Sequence, residues 1–419
     1  MEKLSLNEII KITGAISNSA ENIFFEGVTT DSRKISKGVL FVALKGEKFN
    51  GEDFAQDALN KGAAAVIVSK TAPNFDGVTL KVEDTLTAYQ QIAKSWRERF
   101  QIPVVAITGS NGKTTTKDLT AAVLSSLGKV CKTSANFNNE IGVPMTLLEI
   151  DENHKAAVVE IGMRGLHQIE NLAQFVKPTI GIVINVNETH IEILGSIENI
   201  ARAKGELVQA IHGGTVILNA DNFYTAEMKK IANPGTKILT YGIDNAADLT
   251  AENISVNGNS TIFDLKCNGE IFNFEIPIIG RHNVSNALAT IATASEVGIE
   301  FSKIVDALSK FHGAKRRFQT KGNVKSIWIV DDYAHHPTEI VATLKAARET
   351  NPRRVICTGG YKFSQFAQSY QRIKIIFCKL RANFPVNFFR NCAEFQHIAQ
   401  HCNFSAAVNF GDGFNSGLH

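Results

Sequence analysis

Residues 103–116, PVVAITGSNGKTTT, confine the possible folds of this chain more tightly than any other stretch. A β-branched apolar run reads as a buried strand, a short glycine turn follows, and TTTKDLTAAVLSSLG reads as a helix ending at Gly128. Strand, glycine turn and helix mouth, in that order, form a cradle for phosphate. The N–H groups of a helix's first turn lack intrahelical acceptors, and the helix dipole favours an anion there. The common phosphate loop places four residues between its first glycine and its Gly-Lys pair. Here only Ser110 and Asn111 separate Gly109 from Gly112-Lys113. The two glycines let the backbone approach a ligand, Lys113 can reach terminal phosphates, and Thr114 or Thr115 can offer a hydroxyl to Mg²⁺.

Around this element the chain alternates strands and helices. AAVVEIG, TIGIVINV, GTVILNAD and KILTYG read as buried strands, most of them separated by helical patterns. That alternation predicts an α/β fold with a largely parallel sheet covered on both faces. Residues 248–279 switch to period two, which predicts a small antiparallel patch. Three units follow from these shifts: 1–82, a central 83–315 opened by a connecting helix over 85–100, and 316–419. The third starts conventionally, with the strand SIWIVDDYAH, a helix opened by Pro337 and the strand RRVICTG. From 357 onward its character changes. The last 63 residues hold ten of the 26 phenylalanines, four of the six cysteines and two acidic residues, Glu394 and Asp412. No alternation of strand and helix is legible there, as expected of a degenerate or frameshifted third domain.

Composition removes several classes of partner. A net charge of +3 over 419 residues is too small to argue for nucleic acid or an anionic membrane surface. The longest apolar run near the front, Ala63–Val68, is far short of a membrane span. Six cysteines without regular spacing predict reduced thiols and a cytoplasmic protein. Cys378, Cys392, His397, His401 and Cys402 cluster in the tail, but their spacing matches no standard zinc pattern.

Taken one at a time, the other candidates are ambiguous. Glu160 ends the strand AAVVEIG, where open α/β sheets bind ligands, and reads either as a metal ligand or as half of an ion pair. His190 follows TIGIVINV and reads equally as a packing residue. Lys204, in IARAKGELV, reads by itself as a solvated charge. Asn219 and Asp221, after GTVIL, could hydrogen-bond a ribose or a base.

Together these segments resemble the Mur ligases, the amide ligases of peptidoglycan precursor synthesis. The resemblance rests on TGSNGKTT, NFNNEIGVP at 136–144, VVEIGM, NETHIEILGS with AKGE, and GRHNVSNALA, and it covers residues 1 to about 356. It implies a three-domain architecture: a UDP-precursor-binding domain, a central parallel-sheet ATPase domain and a Rossmann-like third domain. GSNGKTTTKD, NFNNEIGVP and EIGMRG most resemble the members that add D-alanyl-D-alanine to UDP-N-acetylmuramoyl-tripeptide.

The roles implied are these. Gly109, Ser110, Asn111, Gly112, Lys113, Thr114 and Thr115 would hold ATP, with Asn283 and Asn286 near the nucleotide and Asn286 at the adenine. Thr114, Glu160, His190 and Lys204 would surround Mg²⁺, Lys204 as a carbamoylated lysine. Arg317 and Asp332 would complete the ATP site, Ser32 and Arg33 would lie at the uridine, and Asn138 and Asn139 near the UDP-sugar-peptide. A cytoplasmic monomer acting on the UDP-peptide and D-alanyl-D-alanine is implied, with ATP and Mg²⁺. The third-domain motif DDYAHHPTEI, with KRRF before it, instead resembles the members that add the first L-alanine. Addition of L-alanine or a diamino acid therefore stays open. So does a protein that binds nucleotide and UDP-precursor but is inactive through a damaged third domain.

Overall fold

The computed structural model describes residues 3–46, 49–189, 191–314, 316–324, 327–334, 337–360 and 372–378. The chain forms two compact units. One comprises Met1–Thr250, Cys267–Gly269 and Asn286–Ala307; the other holds Ala251–Lys266, Glu270–Ser285 and the described residues within Leu308–His419.

In the first unit, the amino-terminal segment builds a sheet in the order Ile16–Ser17, Thr79–Val82, Ala65–Ser69, Leu40–Val42, Val28–Thr29. All its pairings are parallel except that of the edge strand Ile16–Ser17. The helix Thr85–Arg97 joins this sheet to the next. Its Tyr89, Ile92 and Trp96 pack in the amino-terminal core, while Ala93 packs in the central one. The Trp96 indole donates to the Ile150 carbonyl at 2.9 Å, so the connecting helix is bonded to the central domain as well as packed on it.

The central sheet runs Lys237–Gly242, Thr215–Asn219, Ile180–Val183, Val104–Thr108, His154–Glu160, Lys129–Lys132, every neighbour parallel. Successive side chains of a strand point to opposite faces. Val104, Ala106, Ala157 and Val159 thus share one core with Ile169, Leu172, Ala203 and Leu207, from the helices Gln168–Val176 and Ile197–Gln209. Thr120 and Thr290 hydrogen-bond at 3.2 Å, pairing the helix Lys113–Leu124 with another helix. From Val104–Thr108 the chain moves to one side for two strands, then crosses to the other at Ile180. Open α/β sheets bind ligands at the carboxyl ends of strands where the order reverses in this way. Both the glycine turn and Glu160 lie at those ends.

In the second unit, segments of the strands Leu249–Asn257, Ser260–Cys267 and Glu270–Ile276 lie side by side, where period-two patterning predicts a patch. A separate sheet has the order Gln319–Val324, Ile327–Asp332, Arg372–Cys378, Arg354–Gly360. Helix Pro337–Glu349 follows as expected, and Val330, Ala334, Leu344 and Ala347 form a small core. Arg372–Cys378 departs from the sequence expectation of no legible element in the tail. Its aliphatic run RIKIIFC pairs antiparallel with both neighbours, so Ile327–Asp332 and Arg354–Gly360 do not touch as parallel partners. Cys392, His397, His401 and Cys402, and most of the tail read as degenerate, lie outside the described residues, as does the side chain of Cys378. No described helix is long and apolar enough to cross a membrane.

Candidate functional site

The glycine turn is held from two sides. Gly112 caps the helix Lys113–Leu124 with φ +86°, a left-handed conformation that favours glycine, and a Cβ there would lie 2.5 Å from Asn286 Oδ1. The other side is held by two asparagines that sequence reasoning missed. Asn185 Oδ1 accepts from the Asn111 N–H at 2.9 Å and its Nδ2 donates to the Asn111 carbonyl at 3.1 Å, copying a strand pairing with one side chain. Ser110 Oγ donates to the Asn187 carbonyl at 3.0 Å and accepts from its N–H at 2.8 Å. Their position just past the strand Ile180–Val183, beside the loop's own strand, is the signal that could have found them. Lys113 Nζ folds back onto the Gly109 and Ser110 carbonyls at 2.7 and 3.1 Å, so its ammonium sits at the loop's own mouth.

Glu160 stands next to this loop, 2% exposed. One carboxylate oxygen accepts from Thr114 Oγ1 at 3.1 Å and the other from Asn138 Nδ2 at 2.8 Å. Its backbone N–H donates to Thr133 Oγ1 at 3.0 Å, and the Thr133 carbonyl accepts from Lys117 Nζ at 2.8 Å. Asn138 is itself fixed: its carbonyl accepts from the Gly162 N–H at 2.8 Å, and a Cβ on Gly162 would press within 2.8 Å of Asn138 Oδ1. Asn139 does other work, its Oδ1 accepting from the Gly142 N–H at 2.9 Å where the helix Gly142–Leu148 begins.

Lys204 overturns its reading as a solvated charge. It lies in the helix Ile197–Gln209, 2% exposed, and burial together with the charge of Lys113 holds its pKa well below the usual lysine range. Lys113 is distant from it in sequence, so no local pattern reveals this setting. Among the described residues no group of three or more His, Cys, Asp or Glu side chains gathers to hold a metal. Of the predicted metal set, Thr114 and Glu160 are bonded to each other, Lys204 is buried within the charge of Lys113, and His190 lies outside the described residues.

Residues 25–97, 107–294 and 316–385 match family profiles described as "Mur ligase family, catalytic domain", "Mur ligase middle domain" and "Mur ligase, glutamate ligase domain". The chain is 40% identical to a UDP-N-acetylmuramoyl-tripeptide--D-alanyl-D-alanine ligase of Synechocystis over 357 residues, covering 83% of this chain and 75% of that one. The chain belongs to the Mur ligase family. It is also 34% identical to the Escherichia coli protein of that description, over 86% of this chain and 79% of that one. Among solved Mur ligases, MurF from Acinetobacter baumannii matches with a TM-score of 0.78 at 29% identity, over 84% of this chain and 78% of that one. MurF from Thermotoga maritima in complex with ADP matches at 0.69 and 25%, over 76% and 74%.

The remaining candidates in this Mur ligase have local partners. Ser32 lies in a turn, and the exposed Arg33 pairs with Asp31 through two hydrogen bonds that hold the Asp31 carboxyl down at about 2. The carboxylate of Asp221 accepts from the N–H groups of Ile243, Asp244 and Asn245 at 2.7–2.9 Å, and Asn219 Oδ1 accepts from the Asp221 N–H, so both serve turns. In the second unit, buried Asp332 accepts from the Phe318 N–H at 2.6 Å and the Ala334 N–H at 2.7 Å, while burial raises its pKa. Arg317 Nη1 lies 3.9 Å from Glu339, and Arg316, missed in the sequence, stacks over Tyr333 at 4.2 Å. Asn283 Nδ2 donates to the Ile279 carbonyl at 2.8 Å.

Proposed function

We propose that this Mur ligase joins D-alanyl-D-alanine to UDP-N-acetylmuramoyl-tripeptide, using ATP and releasing ADP and phosphate. The observation that carries this reading is the 40% identity over 357 residues to a ligase of that description. The terminal carboxylate of the peptide attacks the γ-phosphorus of ATP, the bond to ADP breaks, and an acyl phosphate results. The dipeptide amine then attacks the acyl carbon, phosphate leaves, and the amine's extra proton is lost. The first step brings two anions together, so it needs cationic stabilisation of the transferring phosphoryl group.

The chain's own groups supply much of that. Helix-end N–H groups after Gly112 face the phosphates, and Lys113 Nζ exchanges its bonds to the Gly109 and Ser110 carbonyls for phosphate oxygens. Lys204 supports a carbamate. A buried amine beside another cation is easily neutral, and a neutral amine attacks CO₂, forming an N–C bond and releasing a proton. Thr114, Glu160 and carbamoylated Lys204 would offer oxygen ligands suited to Mg²⁺, with His190 added on the family resemblance, and the ion would supply positive charge to the transferring phosphoryl group. Asn283, Asn286, Arg317 and Asp332 at the nucleotide, and Ser32, Arg33, Asn138 and Asn139 at the UDP-peptide, enter on the family resemblance. So do the domain limits 1–82, 83–315 and 316–419, a cytoplasmic location and a monomeric state.

ADP release measured with each UDP-precursor and each amine tests the reading. Turnover with UDP-N-acetylmuramoyl-tripeptide and D-alanyl-D-alanine is expected. Turnover with UDP-N-acetylmuramate and L-alanine alone would overturn it in favour of the activity suggested by DDYAHHPTEI, and nucleotide binding without product would favour an inactive binding protein.

A further inference from the structure

The helix Gln168–Val176 begins a few residues after Glu160 and is gripped at both ends by buried charges of opposite sign. At its start, Glu206 Oε1 accepts from the His167 N–H at 2.6 Å, and Oε2 accepts from those of Ile169 and Glu170 at 3.1 Å each. At its end, Arg97 donates from Nε to the Val176 carbonyl at 3.0 Å and from Nη2 to the Lys177 carbonyl at 3.2 Å. Each charge complements the helix dipole at its own pole. Nine residues separate those poles by about 13 Å.

The two grips differ in what they connect. Arg97 comes from the connecting helix Thr85–Arg97 and holds the end remote from Glu160. Glu206 comes from the helix Ile197–Gln209, two residues beyond Lys204, and holds the end of the loop that starts at Glu160. His167 reaches it in a left-handed conformation, φ +66°, and Gln168 Oε1 gathers the Arg164 and Gly165 N–H groups behind it at 2.6 and 3.3 Å.

We propose that Glu206 is a positioning residue for this reaction. Its carboxylate ties the loop following Glu160 to the helix carrying Lys204, and so sets the separation of the two groups that hold the metal. The proposal rests on the function proposed above for Glu160 and Lys204. Three charge-assisted N–H bonds to one buried carboxylate have the stiffness this needs, and an outer residue that orients metal-binding groups typically governs affinity by about 10–100-fold.

Glu206→Gln and Arg97→Met, in the full chain, separate positioning from stabilisation, because each removes one buried charge from one pole of the same helix. Both are expected to lower the melting temperature. Mn²⁺ titrated by electron paramagnetic resonance, with a non-hydrolysable ATP analogue present, is expected to bind Glu206→Gln at least about tenfold more weakly. Arg97→Met is expected to stay within about twofold of the unsubstituted protein. Amide exchange at His167, Ile169 and Glu170 is expected to accelerate in Glu206→Gln only. Equal Mn²⁺ affinity in the two variants would overturn the proposal. If Glu206→Gln does not fold, Glu206→Asp, which keeps the charge one methylene short, is judged by the same comparison. Normal Mn²⁺ binding without amide product from the proposed substrates would sink the assigned reaction and leave the positioning role standing.

Discussion

Two lysines buried on different helices show how the same residue type serves opposite ends. Lys117, on Lys113–Leu124, donates to the Thr133 carbonyl at 2.8 Å and lies 3.5 Å from Asp118, whose other partner is Lys132. Lys204, on Ile197–Gln209, faces burial and the charge of Lys113, with no carboxylate among the described residues offsetting them. Lys117 is built into the frame that supports Glu160. Lys204 sits in a place that opposes its charge, an arrangement that stability alone would not favour and that chemistry at the amine would. His282 in the second unit follows the same logic, its pKa pushed down to about 4 by burial and by the cation of Arg317.

The largest effect that could break the contrast is on turnover. Lys204→Ala is expected to cost about 10²–10³-fold in kcat, with partial recovery on adding a short-chain carboxylic acid in place of the carbamate. Steady-state ADP release measures both, and full activity of the alanine variant would rule out a carbamoylated lysine.

Next comes stability. Lys117→Met leaves the buried Thr133 carbonyl without its donor and is expected to cost about 1–3 kcal/mol in denaturant unfolding. Lys204→Met removes an amine whose charged form burial already opposes and is expected to cost less than about 1 kcal/mol, or to stabilise. Equal losses would show that the two sites are energetically alike.

A pH series sharpens the comparison through His282. Its folded pKa, about 4, lies below the ordinary 6.5, so as pH falls the unfolded chain takes up the proton first. The stability it contributes is present above pH about 6.5 and is lost between about 6.5 and 4; from pH 7 to 5 that amounts to about 2 kcal/mol. The pH dependence of melting should flatten in His282→Gln. The smallest effect belongs to an exposed cation: Arg33→Ala breaks the pair with Asp31 at the surface, and no measurable change in melting temperature is expected. A clear drop would mean that exposed pairs matter here as much as buried ones.

Much of the architecture was legible along the chain because its causes are local. Alternating apolar strands and helices specify a parallel sheet, and a glycine turn between Thr108 and Lys113, set between a strand and a helix, is read from adjacent residues alone. Glu160 was legible for the same reason, as a carboxylate at a strand's carboxyl end. The antiparallel strand Arg372–Cys378 was not, because its pairing depends on strands whose order in the sheet no local pattern states. Nor were Asn185, Asn187 and Glu206, whose partners lie 36 to 77 residues away. The plainest case is Lys204. In sequence it is one lysine in a helical stretch, indistinguishable from the exposed Arg202 two residues before it. Its depressed pKa arises from burial and from Lys113, far earlier in the chain, and desolvation is a property of the whole surrounding volume.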